Sequence, residues 1–94
     1  MENNGHKHQA RVVIANRLGL HARPAMTFVD KASSFDSTIE VRKGEQVVDG
    51  KSIMQMMMLA ATRGTELSIE AEGNDAEQAI EALTALVDRN FDED

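Results

Sequence analysis

An imidazole and a guanidinium stand two residues apart in the run Leu20-His21-Ala22-Arg23-Pro24-Ala25. Downstream, Ala25, Phe28, Val29 and Ala32 recur at helical spacing, which predicts a helix over 22–32 with His21 at its mouth. Pro24 fits its first turn, because the N–H that proline lacks would be unpaired there anyway. A helix N-terminus offers unpaired backbone N–H groups and a partial positive charge, and so receives phosphate readily. A nucleophilic ring nitrogen held there can accept a phosphoryl group while Arg23 neutralises its oxygens. Without Arg23, His21 would read as a polar cap; without His21, Arg23 would read as a solvated surface charge. Together they point to phosphoryl transfer through a phosphohistidine.

The rest of the chain has to place that helix mouth. Arg11 to Ala15 is rich in β-branched residues and reads as a first strand, followed by a loop over 16–20. Thr38-Ile39-Glu40-Val41-Arg42 alternates as a half-buried strand, and Gln46-Val47-Val48 returns beside it as a hairpin. Ser52 precedes an apolar helix over 53–61, which Gly64 is expected to cap. Glu66 to Glu72 alternates most cleanly of all. Asp75 and Gln78 have capping-box spacing ahead of a helix whose apolar stripe is Ala76, Ala79, Ile80, Leu83, Leu86 and Val87. The order βαββαβα implies an α+β two-layer open-faced sandwich, a four-stranded antiparallel sheet covered on one face by three helices. Residues 1–8 are expected to form a flexible leader and 9–94 a single domain, with the acidic tail Phe91-Asp92-Glu93-Asp94 frayed.

The helix over 53–61 is apolar nearly all round, and holds four of the chain's six methionines. Met56, Leu59 and Ala60 are expected to fill the core, leaving Ile53, Met54 and Met57 partly exposed as a docking patch for partners. Ser52 has a plain reading as an N-cap and a second as a phosphorylation site beside that patch.

Composition closes several other routes. A net charge of −6 over 94 residues argues against nucleic acid as a partner. The absence of cysteine excludes disulfide and thiolate chemistry and fits a cytoplasmic protein. No apolar stretch is long enough for membrane insertion, and the polar start has no signal-peptide core. His6 and His8 lie in the leader and are given no metal-binding role. No metal or cofactor is expected.

The string Asn16-Arg17-Leu18-Gly19-Leu20-His21-Ala22-Arg23-Pro24-Ala25-Met26 resembles the active-site signature of HPr, the histidine-containing phosphocarrier family of the bacterial phosphotransferase system. Gly50-Lys51-Ser52-Ile53-Met54 is similar to the family's regulatory-serine region. The 16–26 string and the ending Asn90-Phe91-Asp92-Glu93-Asp94 also resemble the nitrogen-related branch, NPr. The resemblance implies an HPr-like fold and a phosphoryl group received on Nδ1 of His21 from enzyme I, then passed to an enzyme II A-type protein. It further implies control by a serine kinase and phosphorylase at Ser52, and a monomeric carrier with no independent enzymatic reaction. Two alternatives stand beside it: an HPr-fold regulatory module that no longer moves phosphate, and a ligand-binding domain with a pocket of its own. Retention of both His21 and Arg23 argues against the first.

Overall fold

Alternating residues build the sheet around which everything else is arranged. In a computed structural model, which describes residues 6–93, the strands are β1 (Lys7–Val13), β2 (Thr38–Lys43), β3 (Gln46–Asp49) and β4 (Glu66–Glu72). They form one four-stranded sheet in the order β1-β4-β2-β3, and every adjacent pair is antiparallel. Leu67, Ile69 and Ala71 of β4 point to one face and are buried, whereas Glu66 and Glu72 point to the other and are exposed. Ile39 and Val41 of β2 and Val12 of β1 continue that buried face.

Helices α1 (Ala22–Ser33), α2 (Ile53–Met58) and α3 (Ala76–Asp88) complete the βαββαβα order and cover the apolar face. Phe28 and Ala32 of α1, Met56 of α2 and Leu83, Leu86 and Val87 of α3 meet the sheet in one core. That core is almost wholly aliphatic, so its cohesion comes from close packing of branched side chains rather than ring stacking. The expected α+β sandwich is the observed one. No helix among the described residues is long and apolar enough to cross a membrane.

Four local expectations are corrected. The first strand starts at Lys7, and His8 is half-buried opposite Ala71, so both belong to the sheet rather than to the leader. Residues 1–5 of that leader lie outside the described residues. The second helix ends at Met58, not Ala61, because Ala60 turns the backbone into the left-handed region at φ 51°. Ala60 is therefore exposed instead of core, and Gly64 lies in a later turn where it caps nothing. Asp75 makes no side-chain cap on α3. Its carboxylate accepts instead from the backbone N–H groups of Asp36 and Ser37, at 2.8 and 2.9 Å, and from the Ser37 hydroxyl at 2.5 Å. Finally, the tail is ordered over its described part: Asn90–Asp92 forms a short turn and Phe91 is buried, while Asp94 lies outside the described residues.

Candidate active site

His21 is the N-cap residue of α1, with extended backbone (φ −86°, ψ −168°) and no side-chain capping bond. Its carbonyl accepts from the Ala25 N–H at 3.0 Å, closing the first turn. As first-turn groups, the N–H groups of Ala22 and Arg23 have no intrahelical carbonyl to bond, and they belong to the same helix end as His21. The ring is thus free of capping duty and lies next to a positive helix end. Arg23 sits on the same first turn and is exposed.

The loop before the helix is held from two sides. Leu20 N–H donates to the Ala61 carbonyl at 2.8 Å, which ties the loop to the segment just after α2. Gly19 has a φ of +73°, and a Cβ there would stand 2.6 Å from that same carbonyl, so the close approach requires glycine. The early stop of α2 at Ala60 thereby helps position the helix mouth of α1.

Two residues not marked from the sequence as site groups complete the arrangement. Asn16 is only 1% exposed, and its Nδ2 donates to the Gly19 carbonyl at 2.6 Å and to Glu93 Oε1 at 2.9 Å. Glu93 Oε1 also lies 3.4 Å from Nε2 of His21. The tail that carries Glu93 is pinned by buried Phe91 and by Arg89, whose guanidinium grips Asp92 at 2.8 and 3.3 Å. That grip holds the Asp92 carboxyl below the ordinary carboxylate range. Arg17, Leu18, Ala22, Arg23 and Glu93 line an open cleft of about 460 Å³ around His21. Among the described residues, no group of three or more His, Cys, Asp or Glu side chains is placed to hold a metal ion.

Ser52, Ile53, Met54 and Met57 lie at and on α2. The Ser52 Oγ accepts from the Gln55 N–H at 3.2 Å, as an N-cap should. Met54 is 74% exposed and Met57 44%, whereas Ile53 is half-buried against the core. Met58, at 64% exposed, extends the patch beyond the residues marked from the sequence.

Comparison with known proteins gives a consistent result. A family described as "PTS HPr component phosphorylation site" matches residues 8–89. The chain is 46% identical to phosphocarrier protein NPr of Proteus mirabilis over 85 residues, covering 89% of this chain and 94% of the relative. It is 47% identical to phosphocarrier protein HPr of Pseudomonas aeruginosa over 83 residues, covering 87% and 92%. The crystal structure of an HPr from Thermoanaerobacter tengcongensis superposes with a TM-score of 0.89 at 44% identity, covering 93% of this chain and 98% of that one.

Proposed function

This chain belongs to the HPr family of phosphotransferase-system phosphocarriers, and from that premise we propose that His21 accepts a phosphoryl group from enzyme I and passes it to an enzyme II A-type protein. The observation that carries the reading is His21 at the open mouth of α1, with Arg23 two residues inside and an open cleft of about 460 Å³ around the ring. Transfer between two imidazoles needs alignment and charge neutralisation above all. The first-turn N–H groups and Arg23 supply the second, and the loop fixed by Asn16 and Leu20 supplies the first.

The exposed face of Met54, Met57 and Met58, with Ile53 behind it, is the proposed docking patch. Flexible, polarisable thioethers suit a surface that must receive a donor and an acceptor of different shape. Ser52 at the edge of this patch is the proposed control point, where a serine kinase would add charge. Similarity to the P. mirabilis NPr favours a second reading, a regulatory phosphocarrier of the nitrogen branch. The two differ in which enzyme I paralogue, sugar-type or nitrogen-type, phosphorylates the chain faster.

Incubation with enzyme I and phosphoenolpyruvate followed by mass spectrometry tests the central claim. Wild type should gain one acid-labile phosphate and His21→Ala none. The variant should stay folded, within about 1 kcal/mol of wild type, since even a working N-cap contributes only that much. Acid-labile phosphate on His21→Ala would move the site elsewhere.

A further inference from the structure

Glu93 has no part in the transfer as described so far, yet, held by Asn16, it meets the imidazole at Nε2, on the side turned away from an incoming phosphate on Nδ1. We propose that Glu93, oriented by Asn16, is a positioning residue that keeps the ring proton of His21 on Nε2 in both the free and the phosphorylated states. The proposal rests on the reading of His21 as the phosphoryl acceptor.

An ionised carboxylate can only accept hydrogen bonds, so the Nε2 that faces Glu93 Oε1 at 3.4 Å must carry the proton. Nδ1 is then left with the lone pair and is the nucleophile. The orientation of Asn16 is also determined. Its Nδ2 faces two oxygen acceptors, the Gly19 carbonyl and Glu93 Oε1, and a flipped amide would set oxygen against oxygen. Asn16 Oδ1 is buried with no hydrogen-bond partner among the described residues, so the amide keeps this pose at the expense of its own acceptor. The tail is likewise constrained. Asn90, Phe91 and Asp92 all have left-handed backbones, with φ of 58°, 58° and 63°, a conformation that non-glycine residues adopt only when their surroundings hold them there. Buried Phe91 and the Arg89–Asp92 pair hold it, and the result is a carboxylate aimed at His21.

The consequence for chemistry follows from counting electrons. The Nδ1 lone pair forms the new N–P bond while the donor's N–P bond breaks, and that pair stays on the donor ring. The Nε2 proton does not move. Phosphorylated His21 is then a cationic ring whose N–H faces Glu93, and onward transfer returns the N–P pair to Nδ1 and releases a neutral imidazole. A ring that had lost its Nε2 proton would have to leave as an anion, a much poorer leaving group. Among the charged side chains lining the cleft, Arg17 and Arg23 are cationic and oppose the ring's positive charge, whereas Glu93 adds to the phosphoryl group's own negative charge in favouring it.

Ring ¹⁵N–¹H correlation spectra and transfer kinetics test this on the full chain. Wild type should show a proton on Nε2 in the free ring, and phosphorylated His21 should keep it to higher pH than in Glu93→Ala or Glu93→Gln. Glu93→Gln can still accept from Nε2, so its free ring should keep the wild-type tautomer, whereas Glu93→Ala should show a mixture of both. Transfer to an enzyme II A-type acceptor above neutral pH should slow several-fold in both variants. An unchanged tautomer in Glu93→Ala, together with an unchanged pH response of the phosphorylated ring, would overturn the role of Glu93 while leaving phosphorylation intact. A wild-type chain that takes no phosphate would instead overturn the reading of His21 itself, on which this proposal rests.

Discussion

Arg23 is where the proposed transfer separates binding from chemistry. It lies on the first turn of α1 beside His21 and lines the cleft, where its guanidinium can pair with two phosphoryl oxygens at once. Such a contact strengthens as charge gathers on the transferring group, so its loss should appear in rate rather than in affinity. Arg23→Glu is expected to lower the maximal rate of phosphorylation by enzyme I about a hundredfold or more, with only a few-fold change in KM. Steady-state kinetics with enzyme I as the varied phosphodonor would show the split, and equal losses in both would make Arg23 a docking residue. His21 and Arg23 were legible in the sequence because their relation is local, two positions apart at a helix start. Asn16 and Glu93 were not, because their contact joins residues 77 positions apart. The one available signal was Phe91, an aromatic residue in an otherwise acidic ending, which had to be buried somewhere.

At the scale of elements, periodicity carried most of the fold. Strict alternation marked β2 and β4, and the 3.6-residue stripe marked α1 and α3. It failed at α2, because Leu59 and Ala61 are as buried as helical residues would be while the backbone between them has already turned left-handed. Apolar pattern alone cannot distinguish a continuing helix from an apolar turn that packs equally well. The left-handed conformation at Ala60 costs on the order of 1–2 kcal/mol for a residue with a Cβ. It persists because the turn delivers the Ala61 carbonyl to Leu20 and so braces the loop before His21. At the other end of α2, Ser52 caps the helix, and the proposed control by charge at this position can be tested separately from the cap. Ser52→Ala loses the bond to Gln55 and should cost about 1 kcal/mol of stability in urea denaturation, with phosphorylation of His21 near the wild-type rate. Ser52→Asp keeps an acceptor at the cap but sets a charge beside Met54 and Met57, where a donor would bury apolar surface. Its phosphorylation by enzyme I is expected to slow about tenfold, equivalent to roughly 1.4 kcal/mol in the barrier. Equal slowing in both variants would assign the effect to helix fraying instead.

Over the whole molecule, the sheet and its helices are joined by side chains that span the layers, and Asp75 is the chief of these among the polar groups described. It stands at the start of α3 yet binds the backbone leading into β2, through Asp36 and Ser37, some 38 residues away in sequence. Its capping-box spacing was visible in the sequence, but tertiary partners captured the carboxylate before the helix could. Hydrogen bonds from Ser37 and from the Asp36 N–H hold the Asp75 carboxyl below its ordinary value of 3.8. A carboxyl depressed in the folded state binds its proton more readily when unfolded. It therefore stabilises the fold fully above that ordinary value, and this contribution is lost as pH falls through the depressed one. Asp75→Asn removes the charge and leaves one acceptor where the carboxylate offers two. The variant is expected to unfold at lower urea concentration than wild type at pH 7, with the gap closing as pH falls below the ordinary carboxylate range. Because His21 and Glu93 lie on other elements, its phosphorylation by enzyme I should be unchanged. A gap that stays constant down to low pH would mean that Asp75 acts through the shape of its hydrogen bonds and not through its charge.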